Sequence, residues 1–131
     1  MLLFITIGCS ENKETKVIDT DTFLNNLKKA PNFNISKENL PEWLVVKINE
    51  IEIINSRDIC CIKIRIFQGE WEKQTVYFIV NSFSSCIFCD TYYEDGKKIE
   101  FPDDGGKKSN EFMTESHQWK IIYEFGEGYD L

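Results

Sequence analysis

The sequence holds no run of about 20 apolar residues, the length needed to cross a bilayer; its longest greasy stretch, MLLFITI, ends at Gly8. No membrane-spanning helix is expected. Histidine occurs once, at His117, and the sequence places no carboxylate to orient it, so a histidine-based nucleophilic triad has no support. Basic charge is scarce: 15 Lys and Arg stand against 22 Asp and Glu, a net charge of -7. A nucleic acid would meet this anionic surface with little counterion release to drive binding, which argues against a nucleic-acid groove. There is no glycine-rich phosphate cradle, no internal repeat and no low-complexity tract, and Gly126 and Gly128 belong to the tail FGEGYDL. Asp103-Asp104-Gly105-Gly106 fails as a calcium loop. Taking either glycine as the sixth position puts Glu100 with Pro102, or Phe101 with Asp103, at positions one and three. No metal and no cofactor are expected.

What is present begins with MLLFITIGCSENKE. A short apolar run that stops at a small residue before a cysteine, and is followed at once by polar chain, reads as an export signal of the bacterial lipoprotein type. Residues 1–8 are then the signal segment, Cys9 the lipidated first residue of the mature chain, and residues 9–19 a tether. Thr6 stands where such signals usually carry Leu, Val or Ile, and no Lys or Arg precedes the run. The alternative is a buried N-terminal strand LLFITI with a free cysteine. The export reading places the protein in the bacterial cell envelope, held to a membrane by its lipid.

Residues 20–131 form one domain. With 42% hydrophobic and 14% aromatic residues, it can close a single modest core. TDTFLNNLKKAPNF predicts a short helix capped by Thr or Asp and ended by Pro31. Residues 40–54 predict an amphipathic helix: Asn39 can cap, Pro41 suits the first turn, and Leu40, Trp43, Leu44, Ile48 and Ile51 share a stripe. The period then changes to two. CIKIRIF alternates, QTVYFIVN is apolar on both sides, CIFCDTYY is a third strand, EDGKK a turn and KIEF a short fourth. PDDGGKKSN reads as a loop. HQWKIIYEF alternates again, with Trp119, Ile121, Tyr123 and Phe125 on one face. The fold class is α+β, an N-terminal amphipathic helix packed on an antiparallel β-meander of four to five strands.

Five cysteines are present. With Cys9 acylated, Cys60, Cys61, Cys86 and Cys89 remain, an even count suited to disulfides in an oxidising compartment. On a regular strand, residues one or three apart point to opposite faces, so neither close pair can bond internally. The first and third strands of a meander start at the same end, which predicts bridges between the pair at 60/61 and the pair at 86/89. A four-thiolate zinc site would want two Cys-x-x-Cys knuckles and finds one. A redox Cys-x-x-Cys wants a helix N-terminus, and CIFCDTYY reads as strand.

LPEWLVVKINEIE, then IRIF and QTVYFIV, then TYYEDGKKI and PDDGG resemble, in that order, an uncharacterised family of small bacterial envelope domains. These combine a Pro-x-Trp-Leu helix, a Val-Tyr-Tyr strand, a Leu-Tyr-Asp-x-x-Gly turn and a Cys-x-Pro-Asp-Gly-Gly loop. The resemblance spans roughly residues 40–106. It implies an exported helix-plus-sheet domain and carries no known activity. Ser84-Ser85 stand where the family tends to carry paired cysteines, and Glu100-Phe101 precede Pro102 without the loop cysteine, so the family's bridges do not transfer. The functional expectation is a protein-binding or inhibitor-like accessory module. Its partner face would be Lys63, Arg65, Phe67, Tyr77 and Ile79, or the acidic loop at Asp103-Asp104. A second small apolar cluster on that face, covered by the N-terminal segment, is the plainer alternative. From another class, an envelope enzyme or metal protein would use Cys60, Cys61, Cys86 and Cys89 with His117.

Overall fold

A computed structural model describes residues 17–57, 63–81 and 86–126. Helix α1 (Thr20–Leu27) is followed by a 3-10 turn (Lys37–Asn39) and helix α2 (Glu42–Arg57). Strands β1 (Ile64–Trp71), β2 (Gln74–Asn81) and β3 (Thr91–Tyr93) come next, then helix α3 (Lys107–Glu115) and strand β4 (His117–Phe125). Among the described residues the class is α+β, with three α-helices and one antiparallel sheet in the order β3-β2-β1-β4. The sheet is therefore not a simple meander. Its last strand returns across α3 to pair with β1 rather than with β3.

The reason lies in β2, whose alternate residues are apolar on both sides. Val76 and Phe78 are fully buried in a cluster with Phe67, Trp71, Ile121, Phe23, Leu27 and Phe112. Tyr77 and Ile79 are buried in a second cluster with Ile64, Ile66, Leu44, Ile48 and Ile122. Helices α1 and α3 supply the first layer and α2 the second, so both faces of the sheet carry helices, with α2 covering only part of its own. The side chain of Asp19 caps α1 by accepting from the Thr22 amide at 2.8 Å. That backbone hydrogen bond holds the Asp19 carboxyl below its ordinary value. For α2, the Pro41 carbonyl accepts the first amides, from Leu44 at 3.0 Å and Val45 at 3.1 Å. Asn39 instead closes the preceding 3-10 turn, its amide donating to the Ser36 carbonyl.

Three expectations change. PDDGGKKSN is not all loop: α3 begins at Lys107, with the Asp104 carboxylate accepting from the Lys107 and Lys108 amides. Only Phe112 of this polar helix is buried, so no apolar stripe announced it. KIEF is not a strand; it returns beside β3 through the Lys97 carbonyl, the Ile99 amide and one bridge at Lys98. In β4, one face becomes two. Register shifts fall between Ile66 and Phe67 and between Gln68 and Glu70. Trp119 and Ile121 thus join the α1/α3 core, and Tyr123 and Phe125 the α2 core.

Neither edge of the sheet is left bare. Residues 31–35 run parallel along β4, with the Ile121 amide donating to the Pro31 carbonyl and the Phe33 amide to the Ile121 carbonyl, both at 2.8 Å.

The second register shift depends on Gly69. A Cβ built there would lie 2.6 Å from the Trp119 ring, which rests on the bare backbone. Gly69→Ala is expected to lower the urea midpoint with m unchanged, by the equivalent of about 1–3 kcal/mol for an overpacked core. Urea unfolding followed by tryptophan fluorescence checks this.

Candidate functional site: an uncovered half of the sheet

Side chains of β1 alternate, so Ile64, Ile66, Gln68 and Glu70 share the α2 face. The first two are buried beneath α2, whereas Gln68 is half-buried and Glu70 exposed. The register extends this change across the sheet. Tyr77, Gln68 and Lys120 form one row; Thr75, Glu70 and His117 form the next. Helix α2 therefore stops short, and the rest of its face is a polar floor.

The floor opens into a groove of about 370 Å³ that also takes in Pro31, Phe33 and Gln118. Phe33 is 57% exposed, and the Lys120 ammonium lies 4.8 Å from its ring centroid. Gln68 donates to the Tyr77 hydroxyl at 3.0 Å, and burial keeps that phenol above its ordinary value. Glu70 lies 3.6 Å from His117 Nε2, and the Gln118 amide reaches both Glu70 oxygens in its better orientation, at 3.2 and 3.3 Å. Gln118 takes a left-handed backbone, φ 58°, which aims it here at the register shift. An aromatic wall, two amides, a hydroxyl and an ammonium make a surface for hydrogen bonding to a polar ligand.

Catalysis finds less. Glu70 supplies the carboxylate that the sequence could not place beside His117, because only the β1–β4 register reveals it. The adjacent Ser116 is no nucleophile for that pair. Its hydroxyl donates to the Phe112 carbonyl and accepts from Trp119 Nε1 at 3.1 Å. Among the described residues, no group of three or more His, Cys, Asp and Glu is placed to hold a metal ion.

The expected partner face is not one surface. Arg65 pairs with Val80 and Phe67 with Phe78, so Arg65 and Phe67 lie on the α1/α3 face, while Tyr77 and Ile79 lie on the α2 face. Phe67, Tyr77 and Ile79 are buried. Arg65 is paired to Glu124 at 2.7 Å, and Lys63 is half-buried just before β1. The Tyr77–Ile79 side is covered by α2; the N-terminal segment expected to cover it lies, up to residue 16, outside the described residues. Of the acidic loop, Asp103 is exposed and Asp104 is spent on capping α3.

Cysteines 86 and 89 are joined to each other, with Cα atoms 5.5 Å apart. The exclusion of this pairing assumed a regular strand. Residues 87–90 instead form a turn, and β3 starts only at Thr91. Bridges from this pair to 60/61 are thereby displaced. Cys9, Cys60 and Cys61 lie outside the described residues. On the chain-entropy account, so short a loop contributes about 2 kcal/mol, against about 3.5 for the longer crossing expected.

A polar clip anchors the far end of α2. The Tyr123 hydroxyl donates to Glu52, and Lys37 donates to the other Glu52 oxygen at 2.9 Å and to Asn49. Burial alone would raise the Glu52 carboxyl, but the Tyr123 and Lys37 hydrogen bonds and the Lys37 charge outweigh it and hold it below its ordinary 4.5. Burial, then the Glu52 contact, push Tyr123 well above its ordinary 10.0. Glu52 therefore adds stability above about pH 4.5 that is lost as pH falls through its folded value. Tyr123 adds stability below pH 10 that is lost as pH rises through its own. Tyr123→Phe is expected to cost about 1 kcal/mol at pH 7 and to flatten both flanks. Urea unfolding at pH 3, 7 and 11 tests it; parallel curves for the two proteins would refute the linkage.

Comparison with known proteins finds no matching family model, no matching curated protein and no matching solved structure.

Proposed function

We propose that this chain is a lipid-anchored protein of the bacterial cell envelope that acts by binding a protein partner, as an accessory or inhibitor-like module. The observation that carries the binding role is the uncovered half of the sheet. A groove of about 370 Å³ with an exposed aromatic, paired amides and an ammonium, set on rigid strands, suits recognition. The partner in this reading is a basic protein, because the chain carries a net charge of -7 that steers cations toward it. Its contact segment lies across Gln68, Thr75 and Lys120, and its polar groups meet theirs.

The anchor rests on Gly8-Cys9 and the apolar run before it. Export is further supported by the Cys86–Cys89 bridge, since disulfides form and persist in oxidising compartments. The resemblance to small envelope domains agrees, with α2 standing for their Pro-x-Trp-Leu helix on its sheet. Its motifs also meet in space. Trp43 donates to the Glu94 carbonyl at 2.7 Å and packs on Tyr77 and Tyr92, beside Gly96 of the turn. The rival reading, an enzyme or metal protein on the cysteine cluster, has two of its four thiols tied in that bridge.

Two measurements test the proposal. Labelled palmitate is expected to incorporate in the native host and to be lost in Cys9→Ala; a cytosolic, unlabelled protein refutes the anchor. A photo-crosslinking residue at Thr75 is expected to capture one basic envelope protein, with yield falling at high salt and in Glu70→Lys. Equal capture from Val46, exposed on α2, refutes the groove.

A further inference from the structure

We propose that the Cys86–Cys89 bridge is a thiol–disulfide exchange site that oxidises a dithiol peptide, and not a staple of the fold. Both cysteines are exposed, three residues apart, on either side of a turn. That turn is held by other means. The Phe88 ring enters the aromatic core, with centroids 5.6 Å from Phe78, 5.3 Å from Phe101 and 5.8 Å from Phe112. The Thr91 hydroxyl donates to the Phe88 carbonyl at 3.0 Å, and the Ile79 amide to the Asp90 carbonyl at 2.9 Å. Opening the S–S bond leaves each of these contacts in place. A short, exposed bridge whose loss the fold tolerates has the properties of a labile disulfide rather than a structural one.

The bridge also borders a place for a substrate. A cleft of about 160 Å³ lies against it, with Phe88, Ile99 and Phe101 as apolar wall and Lys98 and Glu100 in the lining. An apolar side chain next to the incoming cysteine fits that wall.

The chemistry balances within the two partners. A peptide thiolate attacks one bridge sulfur; a new S–S bond forms, the Cys86–Cys89 bond breaks, and the other sulfur leaves as a thiolate that takes up a proton. The second peptide thiolate then attacks the peptide's own sulfur in the mixed disulfide and expels the second cysteine as a thiol. The peptide loses two electrons and becomes a disulfide; Cys86 and Cys89 gain them and become two thiols. This inference is independent of the lipid anchor, since it concerns the bridge alone.

The test uses the full chain with its bridge intact, and the Cys60→Ser/Cys61→Ser variant beside it. Each is mixed at neutral pH, without denaturant, with a synthetic peptide carrying two reduced cysteines and a flanking Phe; thiols are then trapped by alkylation and mapped by mass. The expected result is one peptide disulfide formed per Cys86–Cys89 bridge lost, in both proteins. Exchange should be at least tenfold slower for a peptide with Asp in place of Phe. The reduced protein should keep a cooperative thermal transition within about 10 °C of the oxidised one. The proposal is overturned if the bridge resists the peptide until denaturant is added, if reduction abolishes cooperative unfolding, or if mapping finds Cys86 and Cys89 bonded elsewhere or free at the outset.

Discussion

A strand that is apolar on both sides cannot be left open on either, and β2 imposes that condition on everything around it. Val76 and Phe78 demand one layer, Tyr77 and Ile79 another. Burial of each large side chain is worth about 1.5–3 kcal/mol, so neither set can be surrendered to water without losing a sizeable share of a small domain's net stability. A single helix over one face does not meet the condition. The chain answers with α2 on one side and the pair α1 and α3 on the other. It also places β4 beside β1, so that the two richest strands lie inside the sheet.

Coverage is not symmetric, and the asymmetry makes the candidate site. On the α1/α3 side the aromatic rings of Phe23, Phe78, Phe112 and Trp119 interlock over the sheet. On the other side α2 lies over Ile64, Ile66 and Ile79 and is pinned at its start by Trp43 and at its far end by the Glu52 clip. The remaining rows are polar in sequence because they meet water. Gln68, Glu70 and Thr75 alternate with Phe67, Gly69 and Val76, which face the closed side.

What the sequence made legible was whatever depends on local period. The α2 helix, the two-sided character of β2 and the 94–96 turn were readable because each is set by neighbours within a few residues. What depends on register was not. A partner face drawn through Arg65, Phe67, Tyr77 and Ile79 assumed that odd residues of β1 align with odd residues of β2, whereas Phe67 opposes Phe78 and Arg65 opposes Val80; a shift of one residue moves each side chain to the other face. The register shifts of β4 hid Glu70 from His117 in the same way. The α3 helix was missed for another reason: its capping carboxylate, Asp104, sits just before a glycine pair that reads as loop, and one buried Phe112 is too little to show a period. For the cysteines the error lay in the element. Once residues 87–90 turn, a spacing of three no longer separates the sulfurs.

The first described residues, the floor and the bridge occupy different parts of the domain. The amide of Ile18 donates to the Asn110 side chain on α3 at 3.1 Å, so the chain enters the domain on the α1/α3 side. The floor lies on the opposite face, at the end of the sheet where β1 turns into β2 and β4 begins. The bridge sits past the other end of β2, after Asn81. Ile18 and the groove therefore lie on opposite faces of the sheet. The floor and the bridge are likewise separate surfaces, toward opposite ends of β2. That separation needs no moving part; it follows from which face α2 covers and where it stops.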